Sequence, residues 1–378
     1  MIRRSLMNTV ALVTLASCGA AVAQDAPAPK AGQNPTTAAE KLSSAVATVT
    51  MDPLAKADTD MKRVMDALAE LNGKPIETLT AEEARKQPTP TDAVKSVLKK
   101  EGKSLEPGPG VIATDISVDG AAGPLKARVY KPDNASGKLP VVLYFHGGGW
   151  VIADLDTYDA GPRAMAKLAN AVMISVHYRQ APENKFPAAH EDAVAAYKWV
   201  LANADTQGGD AKRVAVMGES AGGNLAINVG IAARDQKLQA PVHAALIYPV
   251  AGIDMDSPSY KANASAKPLN KPMMAWFVEQ ISKSSDDKNS PLIDLVGKAD
   301  LKGLPASTIV TAEIDPLRSD GDRLAAKLKD AGVAVEHKDY AGSTHEFFGM
   351  DAVVQDAGEA QVFVAERLKA SFAGSSSN

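Results

Sequence analysis

Hydrophobic positions change their period several times along this chain, and each change marks an element. From Pro53 onward, Leu54, Met61, Val64, Met65, Leu68 and Leu71 recur at three- and four-residue steps, the spacing of one helix face. Asn72-Gly73 stops that run. Thr80-Ala81-Glu82-Glu83 reads as a second helix start, with Thr80 as cap and Glu83 reaching back to it. Residues 91–100, with Val94, Val97 and Leu98 on one face, predict a third. After Pro109 the period becomes two. Residues 111–118 and 125–130 alternate apolar and polar side chains, as an antiparallel pair with one wet face does. Short continuous apolar runs follow at 141–145, 171–176, 214–217, 244–248 and 307–311, each suited to a parallel strand covered on both faces. Helical patterns lie between them: from about 157, over 187–204, and around Leu317, Leu324 and Leu328 up to Gly332. A last strand at 333–340 and a closing helix at 353–371 complete the series. Strands alternating with helices predict a doubly wound, mostly parallel α/β sheet. Residues 253–304 break the rhythm with Pro, Ser, Asn, Asp and Lys and one amphipathic piece at 273–278. A stretch this long without strands is usually functional. Together with the N-terminal helices it is expected to form a two-part helical lid.

Composition narrows the class. The 378 residues are 45% hydrophobic and 23% charged, an ordinary globular balance, and the net charge of −4 offers no basic patch for nucleic acid or an anionic membrane. Met1-Ile2-Arg3-Arg4, an apolar core at 6–15 and Ala21-Val22-Ala23 before Gln24 have the layout of an export signal, too short to span a bilayer. Cys18 is the only cysteine, and Leu15-Ala16-Ser17-Cys18 resembles a bacterial lipoprotein box. Two outcomes stay open: cleavage after Ala23 with release to the periplasm or medium, or a lipid anchor at Cys18. Either way no disulfide and no cysteine nucleophile is expected downstream. The expected organisation is a signal at 1–23, a flexible Ala-, Pro-, Thr- and Gln-rich linker at 24–50, lid helices at 51–108, core at 109–252, a lid insertion at 253–304 and core again at 305–372.

The chemistry gathers around one strand exit. The run at 214–217 leads into Gly218-Glu219-Ser220-Ala221-Gly222, a G-x-S-x-G turn that holds a serine hydroxyl in the open before a helix start. Attack by that hydroxyl on a carbonyl puts negative charge on oxygen, which fixed N–H donors must stabilise. His146-Gly147-Gly148-Gly149, after the strand at 141–145, can supply them, because glycines let backbone N–H groups approach closely. A phosphate cradle would carry Lys-Ser or Lys-Thr next, and here Trp150-Val151 follows. The serine also needs a base, and the base a carboxylate, in the chain order Ser, acid, His. Of His243, His337 and His345, the first two sit in strand patterns, and His345 sits in a loop after the last strand. Asp315 follows the strand at 307–311; it could instead cap the next helix ahead of Pro316, and Glu313 and Asp320 are rivals for the acid.

His-Gly-Gly-Gly-Trp, Gly-Glu-Ser-Ala-Gly-Gly-Asn, Asp-Pro-Leu-Arg, the Tyr178-Arg179-Gln180-Ala181-Pro182-Glu183 stretch and the late histidine together resemble the hormone-sensitive-lipase family of α/β hydrolases, the bacterial family IV esterases. The resemblance runs from about Pro53 to the closing helix. It implies Ser220 as nucleophile, Asp315 as acid, His345 as base, the N–H groups of Gly148, Gly149 and Ala221 as oxyanion hole, and His146 and Gly147 as shapers of that loop. It implies a carboxylesterase for short acyl esters with no metal or organic cofactor. A carbohydrate deacetylase or small amidase would use the same triad, and a silent binding protein would lack a member of it. Trp150, Met274, Trp276 and Phe277 are candidate pocket walls. Four departures stand out. Glu219 replaces the commoner Asp, Gln180 and His190 replace leucines, and Glu346 stands where the family has Gly after the histidine. His190 is expected to pack, not to catalyse. Glu346 is expected to raise the His345 pKa and to favour neutral or cationic substrate groups.

Overall fold

The structure, a computed structural model, describes residues 52–375. The signal segment, Cys18 and the linker therefore lie outside the described residues. The chain enters through a single 3₁₀ turn, Pro53–Lys56, and then α1 (Thr59–Glu70) and α2 (Pro90–Lys100). The first apolar period is thus split in two, because Ala57 and Asp58 leave the helical region. Thr80 and Glu83 do form a capping box, but on one turn only, Ala81–Ala84. Thr89 and Asp92 form a second box at the start of α2.

One eight-stranded sheet follows: β1 (Val111–Gly120), β2 (Gly123–Pro132), β3 (Leu139–Phe145), β4 (Val172–Val176), β5 (Gly209–Glu219), β6 (Ala244–Ile247), β7 (Ser307–Ile314) and β8 (Val335–Thr344). Their spatial order is β1-β2-β4-β3-β5-β6-β7-β8. The pairs β1–β2 and β2–β4 are antiparallel and all others parallel. Helices α3 (Ala160–Ala169), α4 (Ala188–Asn203), α5 (Ala221–Asp235), α6 (Lys271–Ile281), α7 (Arg318–Asp330) and α8 (Gln355–Ser375) complete the layers. Among the described residues no helix is long and apolar enough to cross a membrane.

Alternation along the central strands splits the core in two. Val141, Leu143, Phe145, Val214, Val216 and Leu246 face one way, against Tyr197 and Val200 of α4 and Leu225 and Val229 of α5. Val142, Tyr144, Ala215, Met217, Ala245 and Ile247 face the other, against Met165 of α3 and Val364 and Leu368 of α8. The N-terminal helices join this second layer through Met61, Val64, Val94 and Val97.

Several strands run further than their apolar signal, and two of these extensions shape the site. β7 continues to Ile314 and β8 to Thr344, with an irregularity in their pairing between Ala312 and Ile314. Ile314 lies opposite Thr344 in the register. Parallel pairing therefore delivers the next two residues, Asp315 and His345, side by side at the C-terminal edge of the sheet, where ligands of open α/β folds bind.

Candidate active site

Ser220 sits between β5 and α5 with φ 55° and ψ −118°, a strained conformation for a residue with a side chain. Its neighbours make the turn possible. A Cβ on Gly218 would lie 2.1 Å from the Gly222 carbonyl oxygen, and one on Gly222 would lie 2.0 Å from that of Phe145. The Ser220 N–H donates to the Ile247 carbonyl at 2.9 Å, so the edge of the sheet fixes the turn.

The hydroxyl then meets its partners. Ser220 Oγ lies 3.0 Å from His345 Nε2, and His345 Nδ1 lies 2.6 Å from Asp315 Oδ2. All three side chains are buried. Asp315 Oδ1 also accepts the Leu317 N–H at 2.8 Å and so fixes the turn ahead of α7; it does not cap that helix, which starts at Arg318 with Leu317 in the cap position. Asn263, from the insertion, donates to the backbone carbonyls of Glu313 (3.1 Å) and Asp315 (3.0 Å) and holds that strand end. Burial works to lower the His345 pKa, and Asp315, with Glu346 and Glu219 adding to it, outweighs that, so the imidazole titrates above its ordinary value. The rivals are occupied elsewhere. Glu313 bonds Lys56 and the Gly342 N–H, and buried Asp320 accepts the N–H groups of Ala251 and Gly252. His243 is wedged between Thr308 and Ser371, and His337 bonds Thr311.

Among the described residues, the N–H groups of Gly148, Gly149 and Ala221 have no acceptor. Gly148 and Gly149 take φ +89° and +58°, and a side chain on Gly148 would collide with the Ile152 carbonyl at 2.3 Å. The loop is held from behind by His146. That ring is neutral, its pKa pushed down to about 3 by burial and then by His177. The bonding assigns its tautomer: Nδ1–H donates to the Gly147 carbonyl (2.8 Å), and Nε2 accepts from His177 Nδ1–H (3.2 Å). The Tyr178 hydroxyl donates to the carbonyls of His146 and Gly147.

A cavity of about 410 Å³ opens above Ser220 and His345, walled by Trp150, Met274, Phe277 and Ile293 among others. Trp276 departs from the expectation. It turns out of the cavity, donates from its indole to the Leu79 carbonyl at 3.2 Å, and packs edge-on against Phe277. The N-terminal helices do not line this cavity either; residues 54–90 wall a second one, of about 500 Å³, that adjoins it. His190 is buried and bonds Asn224 at 2.9 Å, a packing role.

Sequence reasoning missed one group. Beneath the triad, Glu219 is fully enclosed and accepts from the hydroxyls of Tyr144 (2.6 Å) and Tyr248 (2.5 Å). Burial pushes its pKa up to about 7 despite those two donors. The Tyr248 ring lies 4.6 Å from that of His345. The tyrosines sit in apolar strand runs and read there as core, so nothing in their spacing pointed to this role.

Residues 142–349 match the family described by the α/β-hydrolase fold. A carboxylesterase of Mycobacterium tuberculosis, NlhH, is 42% identical over 240 residues, covering 62% of this chain and 75% of its own. An ethyl acetate hydrolase of Pseudomonas putida is 35% identical over 300 residues, covering 78% and 92%. Among solved structures, an esterase of Pyrobaculum calidifontis aligns with a TM-score of 0.74 at 35% identity over 83% of this chain and 98% of its own. The chain belongs to the α/β-hydrolase family, in its hormone-sensitive-lipase branch. It is a carboxylic ester hydrolase.

Proposed function

We propose that the protein hydrolyses short-chain acyl esters through an acyl-enzyme on Ser220. The observation that carries this is the hydrogen-bonded line Asp315–His345–Ser220, with Gly148 and Gly149 on the wall of the same cavity as Ser220 and His345. His345 Nε2 takes the hydroxyl proton as Ser220 Oγ bonds the ester carbonyl carbon. Carbonyl oxygen becomes an anion that Gly148, Gly149 and Ala221 stabilise, each donor worth about 3 kcal/mol. The tetrahedral centre collapses, the carbon–oxygen bond to the alcohol breaks, and His345 returns the proton to the leaving oxygen. Water then gives its proton to His345 and attacks the acyl carbon, and the carboxylic acid leaves as Ser220 regains its proton. Asp315 holds the imidazole and stabilises its cation without taking the proton. The apolar walls and modest volume of the first cavity, and the relative named for ethyl acetate, support small acyl groups.

Two assays test this. Wild type should be labelled by a fluorophosphonate and hydrolyse a short aryl ester, and Ser220→Ala should lose both while keeping its melting temperature within a few degrees. Full activity in Ser220→Ala would refute the mechanism. A panel of esters of graded acyl length would give the size limit. We also propose export by the N-terminal signal, supported by its charge and hydrophobic layout. Mass analysis of the mature N-terminus separates cleavage before Gln24 from lipidation at Cys18, and a retained Met1 would exclude both.

A further inference from the structure

The two cavities share four wall residues, Ile152, Pro268, Met273 and Glu346. Glu346 is the one carboxylate at that junction. Its backbone stands at φ +66°, ψ 10°, the left-handed region that glycine enters without strain. The chain places a charged side chain there nonetheless, immediately after the base.

Its bonding leaves it free to meet a ligand. Oε1 accepts from the Tyr158 hydroxyl at 3.0 Å, and among the described residues that is its only recorded hydrogen bond. The other carboxylates on the first cavity, Asp254 and Asp256, are paired with Arg323 and Lys271. Glu346 has no ion pair among the described residues. Lys288, Lys74, Arg85 and Lys267 also face the two cavities, but the cation whose field bears on Glu346 is the His345 imidazolium.

Chemistry says which part of a substrate comes here. His345 must hand its proton to the leaving oxygen, so the alcohol departs on the His345 side of the carbonyl carbon. Glu346 follows His345 in the chain and walls both cavities, on the route by which such an alcohol would leave the first for the second.

We propose that Glu346 is a specificity residue that selects esters whose leaving alcohol carries a cationic group, the rest of that alcohol extending toward the second cavity. The inference rests on the ester-hydrolysis mechanism given above.

The test is a pair of acetates of equal shape and different charge, acetylcholine and 3,3-dimethylbutyl acetate, assayed at pH 8, on the alkaline side because burial raises the Glu346 pKa. In the wild type kcat/KM should favour the cationic ester by about tenfold, the order expected of a partly screened charge pair. Glu346→Gln should bring the ratio near one, and Glu346→Lys should invert it. Any effect of Glu346 on the His345 pKa acts on both esters alike and cancels in the ratio. Should Glu346→Gln fold poorly, Glu346→Gly suits the backbone and tests the same point. A wild-type ratio at or below one overturns the proposal, as does a tenfold ratio that survives in the uncharged variants. If the wild type cleaves the short aryl ester but neither acetate, the role of Glu346 falls and the mechanism stands; if it cleaves no ester and takes no fluorophosphonate label, the mechanism itself fails.

Discussion

At Ser220 the backbone holds a strained angle that the neighbouring glycines make room for. Replacing Gly222 by alanine puts a methyl 2.0 Å from the Phe145 carbonyl and 2.5 Å from that of His146, both rigid backbone atoms under the oxyanion loop. Gly222→Ala should therefore cost at least about 3 kcal/mol, the range of severe overpacking, seen as a lower denaturant midpoint or insoluble protein. Glu346 works at longer range. Burial lowers the His345 pKa; Asp315 raises it most, and Glu346 and Glu219 raise it further. Removing the Glu346 charge takes away one of these raising influences. The acid limb of the kcat/KM profile, which reports the free-enzyme base, should move to lower pH in Glu346→Gln. A limb that stays in place would show that Glu346 does not tune the base, whatever its effect on substrate choice.

Elements were legible where apolar runs decide them and obscure where neighbours do. The strands at 141–145 and 214–217, the glycine loop and the elbow could be read because buried parallel strands and tight turns each demand particular residues. The last residues of β7 and β8 include Glu313, Gly342, Ser343 and Thr344, polar or small; the pairing is irregular after Ala312 and resumes only at Ile314 opposite Thr344. That hidden register is what sets Asp315 beside His345. The helix α6 was legible as an amphipathic piece, but its rotation was not, since Met274, Trp276 and Phe277 are all apolar. Only tertiary packing decides that Phe277 faces the oxyanion loop and Trp276 turns to Leu79. A Cβ on Gly149 would meet the Phe277 ring at 2.2 Å, so α6 is fitted to the glycine loop as well as to the cavity. Phe277→Ala should enlarge the cavity and raise the hexanoyl-to-acetyl ratio of kcat/KM by about tenfold, within the range that pocket methylenes supply. The same panel on Trp276→Phe should show little change in that ratio, with stability lower by about 1 kcal/mol for the lost hydrogen bond.

Across the whole molecule, function has been built on buried ionisable groups, and stability should depend on pH accordingly. Burial lowers the pKa of five histidines: His146 to about 3, His190 and His243 each to about 4, and His177 and His337 in the same direction. Below about pH 6.5 the unfolded chain protonates these rings and the folded one does not. Each therefore contributes stability that is complete above pH 6.5 and is lost as pH falls toward its folded value, at about 1.4 kcal/mol per pH unit. Two buried carboxyls act in the opposite sense. Glu219, raised to about 7, and Asp320, raised to about 6, bind protons in the folded state that the unfolded state has released. Between about pH 4.5 and 6 they favour the fold as pH falls, and offset part of the histidine loss. The histidines lower the melting temperature as pH falls from 6.5 to 4.5 and the raised carboxyls work against them, so a single-residue variant is needed to isolate one histidine's share. His190 is the clean probe, because its ring touches neither the triad nor the oxyanion loop backbone and bonds only Asn224 among the described side chains. His190→Gln keeps an N–H for Asn224 and removes one proton from the balance. Its stability at pH 7 will be lower from imperfect packing, but its dependence on pH over 4.5–6.5 should flatten by about 1.4 kcal/mol per unit. Denaturant unfolding at four pH values measures this directly. Parallel curves for the variant and the wild type would mean that the folded protein already protonates His190, and that the neutral ring assigned beneath Trp150 is wrong.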